Sequence, residues 1–418
     1  MRSGKPSFDR NYYFLLIEGI LFGLSAAFRD LAAVLPVFLH ELTSSMFLIG
    51  LVATLYMGGW YLPQLFTAEF FEKKQHLVPP LFKLYFWGRL PFLFLVVALL
   101  FLHLKSPSLI LFLFFLSFGL FFISEGLGGV GWFELVARTV PEKYRGRFFA
   151  IYQFSAGILG FAAGFWVKAI LHGSTSLETF GVLFLINLVL LALSMGFLIA
   201  IREPAQKELK PPPVRPSLIH SLPKILREDS AFRRLLLLQL LLGAATMSSP
   251  FYAIHATSHL LISPETVGYF VAAHTLGQAL GCLGWGYMSD HFGNRLVIRG
   301  AILCAVVSPL LALFFHYSAG CGLLILYPLV FLFMGLAWGA WIGFTNYTME
   351  TAPEERRPTY IGILNTANAP AMLFPVLGGT LLNAASFPFL FGLTLVLLLI
   401  GFFLAADLPK PANGARHE

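Results

Sequence analysis

The sequence predicts an all-α membrane protein of twelve transmembrane helices, and three observations carry that prediction. Of its 418 residues 57% are hydrophobic and only 12% charged, with a mean hydropathy of +0.77, whereas soluble domains are about 25% charged. The apolar residues fall in repeated blocks of about 20 to 27, and at 1.5 Å per residue such a block crosses a hydrocarbon core of about 30 Å. The lysines and arginines alternate from loop to loop as an even number of crossings requires.

Taken in order, charged residues or Pro and Gly punctuate twelve apolar spans. The first six run over residues 12–38, 46–71, 81–104, 109–133, 148–171 and 180–201. The second six run over residues 235–256, 266–288, 296–317, 323–346, 360–382 and 388–406. Residues 1–10 form a short basic tail that leads into the first span without a small-residue cleavage site, so that span is expected to be retained. Cys282, Cys304 and Cys321 make an odd count without metal-ligand spacing, and no disulfide framework is expected.

Counting each loop with its adjoining helical turn, 24 of the 28 lysines and arginines fall on the side that holds both termini. The opposite loops hold only Lys105, and Arg29, Arg89 and Lys168 lie inside spans. Cationic loops stay cytoplasmic, so both termini are expected on the cytoplasmic side of a cytoplasmic membrane. This distribution accounts for the net charge of +7 without a nucleic-acid partner.

The longest break is rich in charge and proline and divides the chain into an N-terminal six-helix bundle, residues 1–201, a linker, 202–231, and a C-terminal six-helix bundle, 232–418. Within the linker Leu218, Ile219, Leu222, Ile225 and Leu226 interleave with His220, Lys224 and Arg227, a pattern that suits a short helix on the membrane surface or an irregular proline-rich loop. The halves carry matching segments: Ile49-Gly50 with Val267-Gly268, Glu69 to Lys74 with Asp290 to Arg295, and Val140 to Arg145 with Ala352 to Arg357. Three matches in order, at offsets of 212 to 221 residues, predict two pseudo-symmetric repeats.

At these residues the chain resembles the major facilitator superfamily. The segment Gly286-Tyr-Met-Ser-Asp290-His-Phe-Gly293-Asn-Arg295 is similar to that family's signature between its second and third spans, here at the equivalent place between the eighth and ninth. The first-half copy departs from it, with Glu69 as the acid and no glycine before Lys74. The fifth span carries Gly157, Gly160 and Gly164 but no Gly-Pro pair, and the fourth lacks a buried arginine, features that would mark many proton-driven drug exporters. The resemblance implies a twelve-helix fold in which two bundles rock about a midplane site lined by spans 1, 4, 7 and 10, and in which spans 5 and 8 meet across the halves. It also implies a cytoplasmic gate, for which Asp290 and Arg295 are the first candidates and Glu69, Lys74, Arg145 and Arg357 the next. An acid at a helix end caps a neighbouring N-terminus and pairs with a nearby arginine; solvated loop charges are the alternative.

Ionisable groups at bilayer depth cost several kcal/mol, so each requires a partner or a water-filled cavity. Glu18, Arg29, Asp30, Arg89, Glu125, Lys168, His255 and His274 fall there. Glu18, Arg89 and Glu125 all lie roughly 9 to 13 Å from the cytoplasmic ends of their spans. Arg89 is therefore expected to neutralise Glu125 or Glu18 and to leave the other acid for a proton or a cationic substrate. Glu18, Ser25 and Arg29 share one face of the first span, while Asp30 points away from it. Arg29 requires a partner from another span or from an anionic substrate. Buried structural pairs are the alternative reading of all these charges.

His274 and Gln278 share a face of span 8, as do Asn365 and Asn368 on span 11. Trp338 and Trp341, with Tyr347, offer stacking surfaces to a substrate or serve as packing. His255 and His259 stand at i,i+4, but two ligands do not make a metal centre, and no metal or cofactor is expected. Gly19 and Gly23, Gly160 and Gly164, Gly277 and Gly281, and Gly335, Gly339 and Gly343 are spaced by four, which lets helices approach closely; Gly160 and Gly281 are expected on sliding surfaces.

The expected protein is a monomeric secondary transporter, not an enzyme, that moves a small solute by alternating access with a coupling proton and membrane lipid as its further partners. A lipid or lysolipid flippase of the same fold is an alternative. A polytopic enzyme acting on lipid, with a buried histidine and Glu125 or Asp30 as acid and base, is a more remote one.

Overall fold

The computed structural model describes residues 10–72, 74–102, 106–203, 225–318, 322–353 and 356–409. Among them every regular element is helical. In chain order these are α1 (Arg10–Ala27), α2 (Val34–His40), α3 (Met46–Glu72), α4 (Val78–Leu100), α5 (Pro107–Thr139), α6 (Glu142–Ile170) and α7 (Leu177–Ile199). They continue with α8 (Ser230–Gly243), α9 (Ala245–Ser248), α10 (Phe251–Ile254), a π-helical turn (His255–His259), α11 (Val267–Phe292) and α12 (Asn294–Tyr317). The last are α13 (Pro328–Trp338), α14 (Trp341–Thr351), α15 (Arg357–Ala367), α16 (Phe374–Ala384) and α17 (Phe387–Ala406). Most of the linker, residues 204–224, lies outside the described residues, so the surface helix expected there does too; residues 225–228 are helical and Ile225 is buried.

Ten helical segments among the described residues are long and apolar enough to cross a membrane. The first and eighth expected spans are not among the ten. The first is α1 followed by α2, with a break at residues 28–33 where Arg29 and Asp30 stand. The eighth is α11, long enough at 26 residues but interrupted by His274, Gln278 and Asp290.

Four of the expected continuous spans are broken: the first at residues 28–33, the seventh at Ala244 and again at Ser249-Pro250, the tenth at Gly339-Ala340, and the eleventh at residues 368–373. The causes are local. Pro250 and Pro370 have no N–H to give to the helix ladder. In the first break the freed N–H groups of Ala32 and Ala33 are taken by the Asp30 carboxylate, at 2.9 and 2.8 Å, so the interruption leaves fewer backbone donors unsatisfied. At Gly339 the backbone lies so close to Gly281 that a Cβ would come within 2.8 Å of the Cys282 nitrogen.

The chain forms two compact units. The first comprises residues 1–29, 56–160 and 176–212. In it α4 packs along α5 and α7, and α1 along α7. Phe92 meets Phe118 at 4.7 Å between ring centroids, and Phe118 meets Phe114 at 4.3 Å. Gly23 of α1 lies against α6, where a Cβ would meet that of Ala156 at 2.6 Å.

The second unit comprises residues 30–55, 161–175 and 213–418. Here α11 packs along α13, and α12 along α13 and α17. Three short pieces from the first half of the sequence belong to it: α2, the start of α3 and the end of α6. Gly268, at the start of α11, lies against α6, where a Cβ would meet the Gly164 oxygen at 2.3 Å. Gly50, its counterpart in the first-half repeat, lies against α16 in the same manner, with the Pro375 oxygen at 2.2 Å. Two glycines matched in sequence thus make matched backbone contacts. Gly277 and Gly281, by contrast, pack on α13 and Gly339, within the second half of the sequence. The glycine of α11 that meets α6 is Gly268, which corrects the expectation for Gly281; the expected spacing found a close contact but assigned it to the wrong neighbour.

The basic side chains cap helix ends. Arg145 donates to the Ala137 and Val140 carbonyls at 2.7 and 3.1 Å, around the C-terminus of α5. Arg299 donates to Ala405 and Ala406 at the C-terminus of α17. Cations there complement the partial negative charge of the last helical turn. Glu203 does the opposite service, accepting the N–H groups of Leu77 and Val78 at the start of α4.

Candidate functional site

The first unit buries a polar cluster where α1, α4, α5 and α7 meet. Arg89 of α4 donates from Nε and Nη2 to Glu125 Oε1, at 3.1 and 2.8 Å, and from Nη1 to the Leu191 carbonyl at 3.0 Å. Its guanidinium also lies 4.9 Å from the centre of the Tyr85 ring. Arg89 and Glu125 are 4% and 5% exposed, so the pair is withdrawn from solvent. Position and hydrogen bonding together make it a fixed ion pair, since separating the partners would strand two charges in a low-dielectric interior.

Glu18 stands in the same cluster with different company. Trp132 Nε1 donates to Oε2 at 2.8 Å and the Ser194 hydroxyl to Oε1 at 3.2 Å. Both donors are neutral. Of the two acids that the sequence set within reach of Arg89, the structure joins Glu125 to it and holds Glu18 by an indole and a hydroxyl.

Arg29, just beyond the end of α1, donates from Nε to Asn187 Oδ1 of α7 at 3.0 Å and lies 4.7 Å from the centre of the Phe121 ring. Its partners here come from other helices, as the distance along α1 requires. Asn187 is fully buried, and its amide nitrogen has no hydrogen-bond partner among the described residues.

The second unit holds a second cluster. Asp30, in the break between α1 and α2, accepts from Ala32 and Ala33 through Oδ1 and meets His274 Nδ1 of α11 through Oδ2 at 2.8 Å. Gln278 Nε2 approaches the other ring nitrogen of His274 at 3.2 Å, as their i,i+4 spacing expects. Asp30 and His274 are both buried. Asn368 begins the irregular turn that splits the eleventh span, and its buried side-chain oxygen has no hydrogen-bond partner among the described residues. The side chains of Asn365 and Trp341 lie outside the described residues, while Trp338 is exposed at the end of α13. Tyr347, offered by sequence as a stacking surface, is buried with its hydroxyl donating to the Pro409 carbonyl at 2.8 Å.

The gate candidates are more dispersed. Asp290 is exposed at the end of α11, and among the described residues no ion pair joins it to Arg295. The turn between α11 and α12 is instead organised by residues the sequence reading passed over. Ser289 donates to Asn294 Oδ1 at 2.8 Å, and Asn294 donates to Glu350 at 2.6 Å. Gly293 turns the chain there at φ 82°, a conformation that favours glycine. Lys74 lies 4.8 Å from the Phe70 ring centre, Arg145 is engaged with helix carbonyls, and Arg357 opens α15; the Glu69 side chain lies outside the described residues.

A third cluster comprises His255, His259 and His316, whose ligand nitrogens lie within 4.8 Å of one another. The first two stand at i,i+4; His316 is 57 residues beyond His259, and only folding brings it in. Trp132, Asn187 and Ser194 were likewise missed, because a neutral side chain in an apolar block carries no sequence signal of its own.

Residues 235–417 match the model of the Major Facilitator Superfamily. A search of curated proteins gives no match. Among solved structures, that of the nucleoside transporter NupG is similar with a TM-score of 0.71 at 13% identity, over 96% of this chain and 100% of that one. A POT family transporter in complex with a thioalcohol-conjugated peptide gives 0.70 at 14% identity, over 96% and 97%. A D-xylose-proton symporter gives 0.69 at 12% identity, over 96% and 98%. At such identities the likeness establishes the fold and not the solute. Residues 235–417 thus match the Major Facilitator Superfamily, and the fold shared with these solved transporters extends over 96% of the chain.

Proposed function

We propose that the chain is a secondary transporter of a small polar solute, built from two pseudo-symmetric six-helix halves, with twelve spans and both termini cytoplasmic. The two halves expose the solute site to either side of the membrane in turn, and Glu18 is the group that takes up a coupling proton or a cationic part of the solute. The observation that carries this reading is the division of labour among three buried charges: Arg89 is bound to Glu125, and Glu18 accepts only neutral donors from Trp132 and Ser194. A carboxylate held by an indole and a hydroxyl gives up less stabilisation on protonation than Glu125, which would have to abandon an arginine.

Two further features support transport over a static role. Helices broken near polar residues leave backbone and side-chain groups free to meet a solute, which is how transporters of this architecture build their sites. Asn187 Nδ2 and Asn368 Oδ1 are buried polar atoms without partners among the described residues, a donor and an acceptor of the kind a solute satisfies. The pieces of the first half that pack in the second unit, Asp30 with His274 and Gly50 and Gly268 with their backbone neighbours, form a seal at the ends of the helices opposite the basic loops. By the charge rule that side is the outer one.

The neighbours in fold, transporters of nucleosides, peptides and D-xylose by their descriptions, set the panel for the test. Purified protein is screened against nucleosides, short peptides, pentoses and hexoses by thermal shift, since a ligand that binds only the folded state raises the melting temperature. A ligand found this way is expected to undergo counterflow in proteoliposomes. A panel in which a ligand binds but is never exchanged across the bilayer would count against transport.

A further inference from the structure

We propose that His255, His259 and His316 bind one divalent first-row transition-metal ion, with zinc as the natural candidate, and so clamp the seventh span to the ninth. This inference stands apart from the transport reading and from Glu18.

The three side chains come from two elements. His255 and His259 open and close the π-helical turn at the end of α10, and His316 lies in the last turn of α12. Their rings cluster closely: His259 and His316 are stacked at 4.5 Å between centroids, and His255 lies 5.3 Å from His316. Imidazole nitrogens are good ligands for zinc, copper, nickel and cobalt, and three with an open fourth position is a recurrent zinc arrangement. π-helical turns are themselves often found at functional sites.

The tautomer of His255 is set by its neighbours. Tyr327 donates its single hydroxyl proton to the Tyr252 carbonyl at 2.9 Å. The Tyr327 oxygen can then only accept from His255 Nδ1, also at 2.9 Å, so Nδ1 carries the proton and Nε2 presents a lone pair. Metal-binding histidines are oriented in this way, by a hydrogen bond from the nitrogen that does not bind. His255 Nε2 lies 3.1 Å from His316 Nδ1. Two nitrogens at about 2.0 to 2.1 Å from a tetrahedral zinc are separated by about 3.3 Å, so these atoms require only a small adjustment.

Binding has a defined proton balance. His316 Nδ1 donates to His255 Nε2 in the metal-free hydrogen bond, and the ion takes both nitrogens in place of that proton, which moves to His316 Nε2 and leaves a neutral imidazole. His259 is exposed and turns about its Cβ–Cγ bond to bring a nitrogen inward from the stack. Water supplies the fourth ligand. His255 is fully buried, so the ion would be held between a rigid ligand and two adjustable ones.

The test uses the purified full chain in detergent, stripped with a chelator and titrated with Zn2+ by calorimetry and with Co2+ by visible absorption. One ion per chain is expected, with a tetrahedral Co2+ spectrum and a raised melting temperature. His259→Ala, at an exposed position, and His316→Ala, at a half-buried one, are each expected to weaken binding at least tenfold, and His259→Ala should leave the metal-free melting temperature close to wild type. Tyr327→Phe, which removes the group that orients His255 without touching a ligand, is expected to weaken it about 10- to 100-fold. His291→Ala, an exposed histidine elsewhere, is the control and should bind as wild type. The proposal is overturned if wild type binds no ion in stoichiometric amount, or if the His259→Ala and His316→Ala double variant binds Zn2+ as wild type does.

Discussion

Asp30 and His274, 244 positions apart in the sequence, meet at 2.8 Å in a buried contact between the break after α1 and the first half of α11. The same carboxylate accepts the N–H groups of Ala32 and Ala33 through its other oxygen. One side chain therefore both closes a helix interruption and ties it to a helix of the second half of the sequence. Loss of Asp30 strands two backbone donors as well as the histidine, whereas loss of His274 strands one carboxylate oxygen and the amide of the half-buried Gln278.

Asp30→Ala is accordingly expected to lower thermal stability more than His274→Ala. Each buried group left without a partner costs about 1 to 3 kcal/mol. A double-mutant cycle on the melting data should return a coupling of about 0.5 to 3 kcal/mol between the two positions. Additive effects would mean that the contact contributes nothing of its own.

Arg89 and Glu125 make a prediction of a different kind. Replacing either alone leaves a buried charge and should cost about 3 to 5 kcal/mol, while replacing both with methionine should recover most of the loss. The comparison of melting temperatures for Arg89→Met, Glu125→Met and the double variant decides it. A double variant as unstable as the worse single one would show that Arg89 is held by more than Glu125 and the Leu191 carbonyl.

The contact between Gly268 and Gly164 admits no side chain: a Cβ on Gly268 would meet backbone atoms at 2.3 Å, and one on Gly164 would meet them at 2.6 Å. Gly268→Leu should force α11 away from α6. In a background without the three native cysteines, Ala272→Cys, buried beside this contact, is expected to react slowly with a membrane-impermeant maleimide. Adding Gly268→Leu should speed the labelling at least about tenfold, the equivalent of the roughly 1.4 kcal/mol that separates such populations. Gly281→Leu, whose neighbours lie on α13, should lower stability without changing the labelling. Equal labelling in all three proteins would remove this contact from the seal.

Much of the architecture was legible in the sequence, because hydropathy and the side preference of lysine and arginine act on whole blocks of residues. The helix starts followed from that pattern, and the pairing of Gly50 with Gly268 from the segments that match between the halves. The helix breaks did not. Pro250 and Pro370 signal an interruption but not its length, and the break at residues 28–33 has no proline or glycine; it persists because Asp30 supplies the missing acceptors. The candidate site divided in the same way. Charges in apolar blocks announce themselves, so the burial of Glu18, Arg29, Asp30, Arg89, Glu125 and His274 was legible in the sequence. Their partners Trp132, Ser194 and Asn187 are neutral residues in apolar helices, and nothing in the chain marked them before the helices were packed. At the turn after α11 the family signature drew attention to Asp290 and Arg295, while the hydrogen bonds run through Ser289, Asn294 and Glu350.

The central claim is that Glu18, and not Glu125, is the coupling acid. Its most direct test is solute exchange by reconstituted wild type, Glu18→Gln and Glu125→Gln measured across external pH with the ligand that the thermal screen selects. Glu18→Gln should exchange solute at a rate that no longer varies with pH, because glutamine keeps the acceptor oxygen for Trp132 and cannot titrate. Glu125→Gln should keep the wild-type pH profile, at whatever rate its lower stability permits. A Glu18→Gln protein that follows the wild-type pH profile would contradict the account.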